Sequence, residues 1–181
     1  MTVDLTALRS WRPPNAEQAA LKDAFVEHAD ASLNPTSRQC LPDHLTASAL
    51  VLTPDASQVL LCLHRKVGLW LQFGGHIEQQ DASLGDAALR EAQEESGIAD
   101  LKLVGTSVIQ LDRHPAPCQP EARHHLDVQF LALTQTVRLP VVSEESLDVR
   151  WFDVTALPDQ TDDAVRRLVD VCVRSLNETV R

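Results

Sequence analysis

At 181 residues the chain fits one compact domain with at most a short extension. An apolar share of 44% suits a protein with a true core, and 26 Asp+Glu against 16 Lys+Arg leave a formal charge of −10. That sign opposes DNA, RNA or an anionic membrane surface as partner, yet allows a small phosphorylated ligand whose charge a metal ion can balance.

The four cysteines, Cys40, Cys62, Cys118 and Cys172, are widely spread with no CxxC pair. They read as free thiols in a reducing compartment, with zinc ligation or disulfides as the alternatives. Met1-Thr2-Val3-Asp4-Leu5-Thr6 carries an acid early and no apolar run. No stretch approaches the ~20 apolar residues of a membrane span, so a cytoplasmic protein is expected.

Residues 1–42 are expected to form an N-terminal helical extension, with the main domain and its C-terminal helix in 43–181. Pro13-Pro14 is a stop and Asn15 an N-cap. After it Ala19, Ala20, Ala24, Phe25 and Ala29 recur at near-helical spacing, leaving Glu17, Lys22 and Asp23 for water. Such a helix packs against the main domain; covering a cleft or joining a dimer are further uses.

From Leu45 the pattern becomes that of strands. Leu45–Leu52 and Gln58–Leu63 flank a turn at Thr53–Ser57. Leu69-Trp70-Leu71 is a short apolar piece, followed by a turn at Gly74-Gly75 and a polar loop to Ala82. Ser83 is a good N-cap, with Asp86 three residues on, and Gly97 suits the end of the helix. Strand signals return at Leu101–Asp112, Leu126–Leu133 and Val149–Phe152. Thr161 is the expected cap of a last helix whose buried stripe is Val165, Leu168, Val169, Cys172 and Leu176.

On the central helix Glu91, Glu94 and Glu95 stand at i, i+3 and i+4, so three carboxylates share a face. Glu91 and Glu95 repel by ~0.2–0.5 kcal/mol, and anions in the last turn lose roughly 0.3–1 kcal/mol each against the helix dipole. A solvated acidic face softened by an Arg90–Glu94 pair is one explanation. The other is a cradle for a hard divalent cation, since oxygen-only ligation suits Mg²⁺ or Mn²⁺ better than zinc. Gly74-Gly75 upstream favours the cradle, because glycine lets backbone oxygen approach a ligand.

The stretch Gly75-x5-Asp81-x8-Arg90-Glu91-Ala92-x-Glu94-Glu95-x-Gly97-Ile98 resembles the box of the Nudix (MutT-like) hydrolases, G-x5-E-x7-R-E-U-x-E-E-x-G-U, with U apolar. Its second half agrees at every specified position. Three departures lie upstream: aspartate at position 81 for glutamate, one extra residue before Arg90, and Phe73 where proline is often found. His125-Leu126-Asp127 and the Glu144…Trp151-Phe152 stretch are also similar to the family, and the likeness spans roughly His44 to Pro158.

The resemblance implies an α/β/α sandwich around a mixed sheet, plus the N-terminal helices. It further implies a metal-dependent hydrolase that cleaves a phosphoanhydride bond in a nucleoside diphosphate linked to another moiety. Glu91, Glu94 and Glu95 with the Gly75 carbonyl would hold Mg²⁺ or Mn²⁺, and Arg90 would orient the cluster. Glu144 or Glu145 is a candidate general base. Asp81 and Glu78 could support the loop, while His124, His125, Asp127, Arg65, Lys66 and Arg123 could meet substrate; Trp70 reads as core. A small nucleotide-type substrate and a homodimer are the implied partners. The alternatives are a non-catalytic nucleotide-binding module and an isoprenoid diphosphate isomerase-like enzyme.

Overall fold

The computed structural model describes residues 3–116, 121–136, 138–142 and 146–179. A short helix, α1 (Thr6–Ser10), precedes α2 (Ala16–Ala31), whose first turn is capped by the Asn15 side chain accepting from the Gln18 N–H at 2.9 Å. The buried face of α2 is narrower than the alanine spacing predicts. Phe25 and Ala29 are buried, whereas Ala20 and Ala24 face solvent. Lys22, expected in water, is half-buried and donates to the Trp11 carbonyl at 2.6 Å.

The strands are β1 (Asp43–Leu52), β2 (Gln58–His64), β3 (Trp70–Leu71), β4 (Phe73–His76), β5 (Lys102–Leu103), β6 (Gln110–Pro115), β7 (His124–Leu133) and β8 (Ser146–Asp153). Among the described residues they form one mixed sheet. β1 and β7 run parallel along their full length; the other pairings are antiparallel. One edge of β1 is shared, β4 taking Thr46–Ala49 and β2 taking Val51 and Leu52. The far edge of β7 is divided in the same way between β6 and β5. The single strand expected over Leu101–Asp112 is thus two strands, because β7 offers each a separate stretch of backbone.

Strand alternation sorts the side chains into two layers. Leu45, Ala47, Ala49 and Val51 of β1 join Val128 and Phe130 of β7 in a core closed by Leu8 and Phe25 of the N-terminal helices and by α3 (Leu84–Ser96). The contact face of α3 is Ala87, Ala88 and Ala92, small residues that bring its backbone close to the sheet. On the opposite face Leu50, Leu52, Leu61 and Leu131 pack under α4 (Asp163–Thr179) through Val165, Leu168, Val169, Cys172 and Leu176. The result is helix, sheet and helix, the sandwich expected. The α4 cap is Asp162, which accepts from the Val165 N–H at 2.8 Å, and not Thr161. No helix among the described residues is long and apolar enough to cross a membrane.

Candidate active site

The Gly74-Gly75 pair is not a turn. It lies in β4, with Ser48↔Gly74 and Ala47↔Gly75 in register. Its need for glycine is crowding from both sides. A Cβ on Gly74 would sit 2.3 Å from the Ser48 Cβ, and one on Gly75 would sit 2.7 Å from Glu91 Oε1. Phe73, the departure upstream, is fully buried in the core beside Ala49, its partner on β1.

The polar loop after β4 feeds α3. The Ser83 hydroxyl accepts from the Asp86 N–H at 3.2 Å and donates to the Asp86 carboxylate at 2.8 Å, while extended Asp4 donates its N–H to the Ala82 carbonyl. Gly97 closes the helix in the left-handed region at φ 69°.

Arg90 is the hub of the site. Its Nε and Nη2 donate to the two Asp81 oxygens at 3.0 and 2.9 Å, Nη2 also reaches the His76 carbonyl at 3.0 Å, and Nη1 reaches Glu91 Oε1 and Glu94 Oε2 at 3.1 Å each. Hydrogen bonding to Asp81 and the charges of Glu91 and Asp81 raise the guanidinium's already high pKa. Burial tends to raise the Asp81 carboxyl, but Arg90 and the Glu78 N–H outweigh it and hold the group below its usual value. The shortened side chain at 81 and the extra residue after it therefore still deliver a carboxylate to Arg90. Glu78 supports this loop through that N–H and pairs with Gln80.

The three glutamates occupy different surroundings. Glu91 is half-buried against Gly75, Glu94 is exposed, and Glu95 is only 7% exposed, with Oε2 3.8 Å from the Cys62 Sγ. Burial first, then the Glu95 charge, pushes the Cys62 thiol up to about 12. Among the described residues the three carboxylates do not gather within 4.8 Å of one another. Arg90 draws Glu91 and Glu94 to itself while Glu95 lies against Cys62. Two surface concavities of about 780 Å³, one beside Arg9 and Asp30 and one beside Trp11 and Ile109, do not take in these glutamates. Glu144 and Glu145 lie outside the described residues.

Other expected residues are dispersed. Trp70 is core, edge-on to Phe152. Arg65 donates to the Ser146 carbonyl, the Arg123 N–H goes to the Pro42 carbonyl, and His124 pairs with Asp43 at 3.0 Å. Asp127 is buried and accepts from Ser48, Thr46 and Gln129 at 2.6, 3.0 and 3.1 Å.

These last residues belong to a polar layer that the sequence reading missed. The same sheet face also carries His44, Thr46 and Ser48 of β1, His125, Asp127 and Gln129 of β7, and His76 of β4, in mutual register. His44 is fully buried; its Nε2 is 3.1 Å from that of His76, and the His125 ring stands edge-on to both. Burial lowers all three, His76 to about 4 and His125 to about 3. The period-two runs His-x-Thr-x-Ser and His-x-Asp-x-Gln were the available signal.

The NUDIX domain model matches residues 42–171. The chain belongs to the Nudix hydrolase family. No curated protein matches the sequence. Among solved structures, a NUDIX-family hydrolase from Clostridium perfringens is similar over 75% of this chain and 97% of its own, at 22% identity and a TM-score of 0.57. The E. coli dihydroneopterin triphosphate pyrophosphohydrolase shares 19% identity, covering 72% and 95% with a TM-score of 0.59. A C. elegans Ap4A hydrolase shares 16%, covering 74% and 98% with a TM-score of 0.62. At such identities the likeness establishes the Nudix fold. Within that fold the Nudix box of this chain is the β4–loop–α3 unit organised by Arg90.

Proposed function

We propose that this Nudix hydrolase cleaves a phosphoanhydride bond in a nucleoside diphosphate linked to another group, using Mg²⁺ or Mn²⁺ held by Glu91, Glu94, Glu95 and the Gly75 carbonyl. The observation that carries the reading is the packing of the Glu91 carboxylate against Gly75, where no larger residue leaves room. It puts a carboxylate beside the backbone of the proposed carbonyl ligand. Three more features fit a hard cation. The donors are all oxygen. The last turn of α3 holds acids and no basic residue, against its dipole. Finally, Glu91 and Glu94 share one Arg90 nitrogen, so modest side-chain rotation releases both.

An ion held there would supply charge neutralisation for the phosphate oxygens, acidity for a bound water and stabilisation of the leaving group. Arg90, tied to Asp81 and to the His76 carbonyl, keeps Glu91 and Glu94 on one side of the helix end. Glu95 supplies a carboxylate from a water-poor position against β2. Glu144 is the proposed general base, taking a proton from the attacking water. The charge of −10 favours a small nucleotide over a long polyanion.

The test is a substrate panel of nucleotide sugars, ADP-ribose, dinucleotides and nucleoside triphosphates with Mg²⁺ or Mn²⁺, read as nucleoside monophosphate release. Chelation should abolish turnover, and Glu94→Gln and Glu95→Gln should each lower it at least ~10²-fold, the scale for losing a key electrostatic group. Unchanged rates in both variants would reject the site.

A further inference from the structure

We propose that His44, His76 and His125 form a binding site for one divalent transition-metal ion of zinc's class, separate from the carboxylate site. One ligand nitrogen from each ring lies within 4.8 Å of the other two. For two imidazole nitrogens on a tetrahedral zinc ion, with bonds of about 2.0–2.1 Å, the separation is ~3.3 Å. The His44 and His76 Nε2 atoms already stand 3.1 Å apart. The His125 ring offers its nitrogen within 4.8 Å of both partners.

The rings are mounted on rigid scaffolding. His44 sits opposite His125 across the parallel β1–β7 pairing, and Thr46 opposite His76 across β1–β4, so three adjacent strands present them on one face. The His114 ring, itself bonded to Asp112 at 2.9 Å, stands edge-on to His125. Neutral imidazole is the form that binds such an ion.

An all-imidazole donor set selects borderline ions such as Zn²⁺ over Mg²⁺, which demands oxygen. Three protein ligands leave a fourth position for water or an anion. His44 is fully buried while His76 and His125 are half-buried, so that position opens on the side of the latter two. Successive strand residues point to opposite faces, so Gly75 is turned toward Glu91 and α3 while the His76 ring lies across the sheet. The two sites are joined through the Gly75–His76 backbone and through Arg90, which holds the His76 carbonyl. The site does not depend on the proposed hydrolysis.

The experiment uses the tag-free full chain, stripped with chelator and titrated with Zn²⁺ by calorimetry in the presence of excess Mg²⁺. One equivalent per chain should bind. His76→Asn and His125→Asn should each weaken binding at least ~100-fold, since even outer partners of a ligand are worth about 10–100-fold. Glu94→Gln should bind zinc as the parent does. Crystals of the unaltered chain grown with Zn²⁺ should show a zinc-edge anomalous peak between the three rings, a result independent of how the variants fold. No peak there, or zinc affinity that survives both histidine substitutions or disappears in Glu94→Gln, would overturn the assignment and leave a packed histidine layer.

Discussion

Gly75 and Glu91 touch so closely that a single methyl group on the glycine would lie 2.7 Å from the Glu91 carboxylate oxygen. The obstructing atoms are the tip of a flexible side chain, so the fold can yield where the site cannot. Gly75→Ala should change stability by less than ~1 kcal/mol, yet displace Glu91 and lower metal-dependent turnover at least ~10-fold. Gly74→Ala is the contrast. There the added carbon would meet Ser48 Cβ at 2.3 Å, Ser48 Cα at 2.8 Å and the Ala47 carbonyl at 2.9 Å, atoms of a paired strand. It should cost about 1–3 kcal/mol, the range for overpacking. Thermal melts beside activity assays separate the two; equal losses of stability would contradict the geometry.

The Asp81–Arg90 pair makes a second prediction. Both side chains are largely buried, at 3% and 16% exposure, and they share two hydrogen bonds. Asp81→Asn removes the charge but leaves Arg90 its bonds to Glu91, Glu94 and the His76 carbonyl, so the loss should fall near the lower end for a broken buried pair, about 3 kcal/mol. The Asp81 carboxyl is held below its ordinary 3.8 when folded. The unfolded chain therefore takes up this proton first as pH falls. The contribution of Asp81 is complete above 3.8 and lost as pH drops through the lower folded value. Urea melts at stepped pH should show a gap between parent and Asp81→Asn that narrows only in that acid window.

What the sequence made legible was local. Ser83, Asp86 and Gly97 bracket α3 because caps act within a few residues, and Glu91, Glu94 and Glu95 share a face through helical spacing alone. The polar layer was hidden because His44, His76, His125 and Asp127 come together only through the register of β1, β4 and β7, set by long-range pairing. Gly74-Gly75 suggested a turn for want of knowing that Ser48 and Glu91 flank an extended strand. Thr161 and Asp162 are both capping types side by side, and position alone decides for Asp162.

Thiol chemistry offers a reading of the Glu95 environment. Cys62 is 1% exposed and its thiol is pushed up to about 12, first by burial and then by the Glu95 charge; burial also raises Cys172. Only thiolate reacts with alkylating reagents. In native protein at pH 8, iodoacetamide should label half-buried Cys40 well before Cys62 and Cys172, which should wait for unfolding. Peptide mass spectrometry over a time course gives the order. Early labelling of Cys62 would mean that the Glu95 end of α3 is open to solvent.

The N-terminal helices invite the last test, whether they are an appendage or a wall of the core. Phe25 is fully buried and shares one cluster with Leu45, Ala88 and Phe130. Gln18 strengthens the join, its amide exchanging two hydrogen bonds with the Leu111 backbone at 2.8 and 3.0 Å, as a neighbouring strand would. Phe25→Ala should therefore destabilise the whole domain by about 3–5 kcal/mol, the usual cost of truncating a core phenylalanine. Gln18→Ala removes the partners of a backbone N–H and C=O at the rim of β6 and should cost about 1–3 kcal/mol. Both losses should appear in a single unfolding transition followed by α-helical and tryptophan signals together. Two separated transitions would show that α2 melts on its own, in which case removing it would leave the Arg90 site intact.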